Sequence, residues 1–273
     1  MKIVVLIKQV PETNNVKMDA ETGTMIRDGV ETIVNPLDLY AVETALQLRQ
    51  SRGGTVTALT MGPPKSEKAL REVVAMGCDD ALQLSDRAFA GSDTWATSYI
   101  LAEAIRSRLE GFDLILCGER ATDGDTGQVG PAVASFLDLP LATYVSAITD
   151  VGDGIGVRRL VEGGYEKLRL PLPALLTVVK EISFPRLPTL SGKRRARQMA
   201  VERLGREELD LAEEDIGLGG SPTRVSRIFT PQVARRGRKV IVKDEGDLDR
   251  ALKELLAFLD ERHLLPVPER KGR

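Results

Sequence analysis

Four short apolar runs, at residues 2–7, 55–61, 80–84 and 112–117, most constrain what this chain can fold into. They are mostly continuous rather than alternating in hydropathy, as parallel strands covered on both faces are. Between them, apolar positions recur at helical spacing. Leu37, Ala41, Ala45 and Leu48 precede an Arg52-Gly53-Gly54 stop, and Trp95, Tyr99, Ala102, Ile105 and Leu109 follow Asp93. A third helix is expected from near Pro64 to Met76-Gly77, and a fourth carries Val129, Val133 and Leu137. Strand and helix thus alternate to about residue 140. The pattern predicts an α/β sandwich, a Rossmann-like parallel sheet with right-handed crossovers.

Beyond that point the pattern changes. Residues 145–149, 155–161 and 165–170 read as short strands separated by Gly-rich turns, and Ala174 to Val179 as one more buried strand. A hairpin decoration followed by a return to the main sheet is expected. After Lys180 the chain loses compactness: the stretch 185–198, PRLPTLSGKRRARQ, holds two prolines, one glycine and five basic residues. Residues 212–238 are also loop-like. Near the end, Leu248, Leu252, Leu255, Leu256 and Leu259 place an apolar stripe on a C-terminal helix, which needs a surface to pack on. The expected division is an α/β domain over 1–205, including a loop at 184–198, and a C-terminal arm and helix over 206–273.

Composition excludes several classes. With 38 basic and 40 acidic residues, no overall field attracts nucleic acid or an anionic membrane. Cys78 and Cys117 lie in apolar surroundings without disulfide or metal spacing, and His263 is the single histidine, so neither a histidine triad nor a multi-histidine metal centre can be built. The apolar run after Lys2 is far shorter than the roughly 20 residues a membrane span requires. A cytoplasmic location is expected.

Loops at the C-terminal ends of parallel strands converge on a common crevice. Four segments are expected there: Leu6 to Val10, Asn35-Pro36-Leu37-Asp38, Thr60-Met61-Gly62-Pro63, and Gly118 to Val129. The last, in GERATDGDTGQVGP, joins a strand to a helix with four glycines, where backbone N–H groups can meet a phosphate. Neither G-x-G-x-x-G nor G-x-x-x-x-G-K-[ST] is present, which weakens the usual dinucleotide and triphosphate readings. Asp125 reads as the cap of the following helix, Thr126 and Gln128 as side-chain donors, and Gly124 as room for a ligand. Asn35 reads equally as a helix cap and Asp38 as a complement to that helix's positive end. Taken on residues alone, the loop is a nucleotide or cofactor cradle, a structural turn, or a weak magnesium site at Asp123 and Asp125. The basic cluster Lys193, Arg194, Arg195 and Arg197 lacks interleaved aromatics and reads as a docking patch rather than a nucleic-acid site.

Six segments in order, IKQVP, NPLD at 35–38, TMGPP at 60–64, AMGCD at 75–79, GERATDGDTGQVGP and FPRLPTLSGKRRA, resemble the beta subunit of electron transfer flavoprotein over nearly the whole chain. The resemblance implies an adenine-nucleotide-alpha-hydrolase-like fold, a heterodimer with an alpha subunit that carries the redox FAD, and an arm packed on that partner. It implies nucleotide contacts at Leu6, Asn35, Pro36, Leu37, Asp38, Met61, Gly118, Glu119, Arg120, Ala121, Thr122, Asp123, Gly124, Asp125, Thr126, Gly127, Gln128 and Val129. Conventional members hold AMP there; electron-bifurcating members hold a second FAD. Asp123-Gly124 and Gly127-Gln128-Val129 resemble the bifurcating branch, whose complexes oxidise NADH and reduce ferredoxin or flavodoxin together with an acyl-CoA dehydrogenase. Any enzymatic activity then belongs to the complex. Leu190 matches the family's docking leucine, with Lys193, Arg194 and Arg195 steering the dehydrogenase. A solitary nucleotide-binding protein of the universal-stress type is the reading from another class.

Overall fold

A computed structural model describes residues 1–12, 31–226 and 239–265. Its centre is a nine-stranded sheet in the order β11-β5-β4-β1-β6-β10-β7-β8-β9. The strands at the four leading apolar runs are β1 (Lys2–Leu6), β4 (Thr55–Met61), β5 (Asp80–Leu84) and β6 (Leu114–Gly118), all parallel. β10 (Ala174–Val178) pairs in parallel with β6 on one side and β7 (Leu141–Val151) on the other. β8 (Gly154–Val161) and β9 (Gly164–Pro171) then run antiparallel, so the expected hairpin extends one edge of the main sheet.

The strand pleat sorts the core. Ile3, Val5 and Ile7 enter one apolar cluster, while Val4 and Leu6 enter the other. On β6, Leu114 and Leu116 face the first and Ile115 and Cys117 the second. Successive side chains on a strand point to opposite faces, so a continuous apolar run is what a doubly covered sheet demands. The first cluster is closed by α1 (Pro36–Arg52) and α2 (Glu67–Met76), the second by α3 (Thr94–Arg108) and α4 (Val129–Phe136). Asp93 caps α3, its carboxylate accepting from the Ala96 N–H at 3.1 Å. Both cysteines are buried.

Three short features depart from the sequence expectation. Gln9–Pro11 (β2) and Thr32–Val34 (β3) form a two-stranded antiparallel ribbon. Part of the expected loop at 184–198 is a helix, α5 (Leu190–Gln198), capped by Thr189 accepting from the Gly192 N–H at 2.9 Å. It lies close on α2: a Cβ on Gly192 would stand 2.0 Å from the Ala75 carbonyl oxygen. The third, β11 (Glu202–Leu204), pairs with β5 at the far edge.

The molecule divides into units Met1–Arg227 and Ile228–Arg273. The first extends past the expected boundary at 205 because Leu209, Leu211 and Ile216 are buried in the α3–α4 cluster. In the second, α6 (Glu245–Glu261) begins at Asp244, whose carboxylate accepts from the Asp247 N–H at 2.8 Å. Leu248, Leu252, Leu255, Leu256 and Phe258 on this helix are about half exposed. Much of the expected loop at 212–238 lies outside the described residues, which there end at 226. No helix among the described residues is long and apolar enough to cross a membrane.

Candidate functional site

The C-terminal ends of β1, β4 and β6 open on one edge of the sheet, beside the start of α1. Two buried polar side chains build this edge. Asp38 accepts the Lys8 N–H at 2.8 Å and the Gly118 N–H at 3.1 Å, joining the chain just past β1 to the end of β6. It is 6% exposed, and burial pushes its carboxyl up to about 7 against hydrogen bonds from Lys8, Asn35 and Gly118. Gly118 allows this contact, because a Cβ there would stand 2.6 Å from Asp38 Oδ1 and 2.7 Å from the Leu37 carbonyl carbon.

Asn35 is fully buried and makes the second staple. Its Nδ2 donates to the Arg120 carbonyl at 2.9 Å, and its Oδ1 accepts the Thr122 N–H at 3.2 Å. The expected helix-capping role of Asn35 is therefore corrected: its side chain makes no cap bond and turns to the 118–128 loop instead. Asp38 stands in the first turn of α1, as expected for the dipole, but both carboxylate oxygens are spent on neighbouring segments. Both side chains serve as ties because the loop and the strand end carry backbone groups that need partners.

The loop itself differs from expectation at Asp125. It lies four residues before α4, in the left-handed region at φ 55°, and Gln128 occupies the cap position without a side-chain bond to that helix. Asp125 instead donates its N–H to the Ala121 carbonyl at 2.8 Å and faces Arg120 at 3.3 Å. Among the described residues, no protein acceptor takes the N–H groups of Thr126, Gly127 or Gln128. Gly124 has an ordinary φ, and a Cβ on it would meet nothing within 4 Å. Exposed donors beside open space suit an anionic ligand with bulk next to it.

Charges surround that space. Lys8 Nζ donates to Asp123 Oδ1 at 2.7 Å, a contact the sequence reading missed although Lys8 directly follows the first strand. The Glu119 carboxyl is held above its usual range, chiefly by burial. Among the described residues, no group of three or more His, Cys, Asp or Glu side chains is arranged to hold a metal ion.

The remaining expected contacts sort by side chain. Leu6 is committed to the core, and Met61 and Val129 are partly buried against it. Pro36, Arg120, Thr122, Thr126 and Gln128 are exposed at the edge, and Leu37 and Ala121 are partly so. Thr94 at the start of α3 reaches Gln128 Oε1 at 3.3 Å.

The docking residues separate. Leu190 is 87% exposed, and Lys193 and Arg194 are exposed with it. Arg195 is not a free cation: its guanidinium donates to the Val74 carbonyl at 2.8 Å and to the Cys78 carbonyl, binding the C-terminal end of α2. A basic cluster in sequence is divided because a helix sends neighbouring side chains in different directions.

Residues 22–209 match the family model described as electron transfer flavoprotein domain. The electron transfer flavoprotein subunit beta of Thermoanaerobacterium thermosaccharolyticum is 44% identical over 266 residues, covering 97% of this chain and 100% of the relative. Caffeyl-CoA reductase-Etf complex subunit CarD of Acetobacterium woodii shows the same identity and coverage. The acryloyl-CoA reductase electron transfer subunit gamma of Anaerotignum propionicum is 40% identical, covering 97% of this chain and 100% of the relative. With its parallel sheet, its strand-end loop and full-length similarity to these proteins, the chain belongs to the electron transfer flavoprotein beta subunit family.

Proposed function

We propose that this chain holds FAD in the strand-end crevice and works, with an alpha subunit, in flavin-based electron bifurcation. The observation that carries the choice of FAD is Gly124. Neither its φ nor any neighbouring protein atom requires glycine, so the loop leaves room at this position for a ligand as large as a flavin. Val129 contributes less than its apolar character suggested, since packing against the core accounts for it. Two relatives whose names place them in acyl-CoA reductase systems support the same direction.

The free N–H groups of Thr126, Gly127 and Gln128 would hold the diphosphate, and the loop stapled by Asn35 would fix their direction. Lys8, paired with Asp123, places a positive charge at the same mouth. Ordering these donors before binding lowers the entropic cost of capturing the ligand. A flavin bound there supplies the hydride and single-electron chemistry, while the protein sets its position and surroundings. In this reading the complex takes a hydride from NADH. The electron acceptors of that complex would be an acyl-CoA dehydrogenase on one side and ferredoxin or flavodoxin on the other. Leu190, exposed on the capped helix α5, is the docking anchor, with Lys193 and Arg194 as steering charges.

Nucleotide analysis of the purified heterodimer tests the proposal. Two FAD per heterodimer are expected, and one FAD with one AMP would assign the chain to the conventional, AMP-holding branch. Leu190→Ala is expected to slow transfer to the dehydrogenase with flavin content unchanged; loss of flavin in that variant would contradict the docking role. Family membership over the full length sets aside the solitary nucleotide-binding reading.

A further inference from the structure

The segment from Phe184 to the first residue of α5 turns three large apolar side chains outward: Phe184 is 90% exposed, Leu187 85% and Leu190 87%. Such a stretch contributes little burial of its own, so its shape must come from polar ties. Those ties converge on α1. Arg186 donates from Nε to Glu43 Oε2 at 2.7 Å, from Nη2 to Glu43 Oε1 at 2.9 Å, and from its backbone N–H to Glu43 Oε2 at 3.1 Å. Glu43 is 4% exposed, and its Oε1 also accepts from Gln47 at 2.9 Å. The Ser183 hydroxyl donates to the Tyr40 carbonyl at 3.1 Å on the same helix.

A carboxylate buried on a helix face and saturated by one arginine's fork and main chain is a geometric lock. Its arginine lies between Phe184 and Leu187, four residues before Leu190. The lock also stands five residues along α1 from Asp38, about 7.5 Å of helix rise from the strand-end crevice.

We propose that Glu43 is a positioning residue for partner docking, its ion pair with Arg186 holding Phe184, Leu187 and Leu190 in the conformation that enters an apolar pocket of the acyl-CoA dehydrogenase. This rests on the docking role proposed above for Leu190. Glu43 touches neither cofactor nor partner; it acts by removing the cost of ordering the loop at the moment of association.

The test is a double-mutant cycle on the purified heterodimer, with an acyl-CoA dehydrogenase that it accepts electrons from, reduced by its own acyl-CoA substrate, as the electron donor. Glu43→Gln keeps the shape and removes the charge. It is expected to raise the KM for the dehydrogenase about tenfold with kcat and flavin content unchanged. In a Leu190→Ala background the same change is expected to alter KM by less than about twofold, because the anchor it positions is gone. Amide exchange in the peptide 183–190 is expected to speed up in Glu43→Gln. An unchanged KM or unchanged exchange in Glu43→Gln overturns the inference, as does an equal loss of KM in both backgrounds, which marks a general structural role. A Leu190→Ala heterodimer with unaltered KM overturns the docking reading and this inference together; a full Leu190 effect without a Glu43 effect overturns the lock alone.

Discussion

The buried carboxyl of Asp38 makes the stability of this protein depend on pH in the direction opposite to most acidic side chains. Folding raises it from 3.8 to about 7, chiefly because burial penalises the charge. Between those two values the folded chain holds a proton that the unfolded chain has released, so stability falls as pH rises. The full difference of about three pKa units corresponds to roughly 4 kcal/mol; between pH 5 and pH 8 the loss is about 2.5 kcal/mol. Asp38→Asn removes the titration while keeping the size of the group. The quantity to follow is the urea midpoint of the wild type minus that of Asp38→Asn, by far-UV circular dichroism at pH 5 and pH 8, which cancels every other titrating residue. With a denaturant slope of about 3 kcal/mol per molar, this difference should shift by about 0.8 M against the wild type at the higher pH. The variant should lose some stability at both pH values, since an amide cannot accept from both the Lys8 and Gly118 N–H groups without opposing a donor to one of them. Parallel pH profiles for the two proteins would refute the argument, showing that water or the backbone donors offset the burial.

Further expectations follow from single contacts. Gly118→Ala should destabilise by about 1–3 kcal/mol and weaken nucleotide retention, because its new methyl meets Asp38 and the Leu37 backbone; a melting temperature equal to wild type would contradict the close approach. Gly124→Glu should leave the melting temperature unchanged, given open space around its Cβ, yet reduce the FAD recovered from the heterodimer by mass spectrometry; full FAD retention would remove the main support for the flavin reading. Asp93→Ala should cost about 1–2 kcal/mol from the lost cap of α3. It should also speed amide exchange at Thr223, whose N–H and hydroxyl both donate to the Asp93 carboxylate.

Much of the architecture was legible because it depends on local pattern. The four leading strands and α1 to α4 follow from runs and spacings that two covered faces impose on any sheet. Short elements were less legible. β2, β3 and β11 are three residues each, too short for a period to declare itself, and they exist because a distant segment offers them hydrogen bonds. α5 is not legible as a helix because its basic residues and Gly192 carry no apolar stripe; close seating on α2 stabilises it.

The residues of the strand-end site were legible by type and place, but their roles were not. Sequence alone placed Asn35, Asp38 and the 118–128 loop at one edge, since loops at the C-terminal ends of parallel strands converge on a common crevice. Only the tertiary structure decided that Asn35 and Asp38 tie segments together rather than cap α1, that Asp125 stands apart from the start of α4, and that Arg195, exposed like Lys193 and Arg194, spends its guanidinium on the end of α2. Local pattern reflects which face of an element is buried, a property of a few neighbouring residues. The partner a polar side chain chooses depends on which backbone donors or acceptors are left unpaired across the fold, and those belong to residues as far away as Asp38 and Gly118 in the chain.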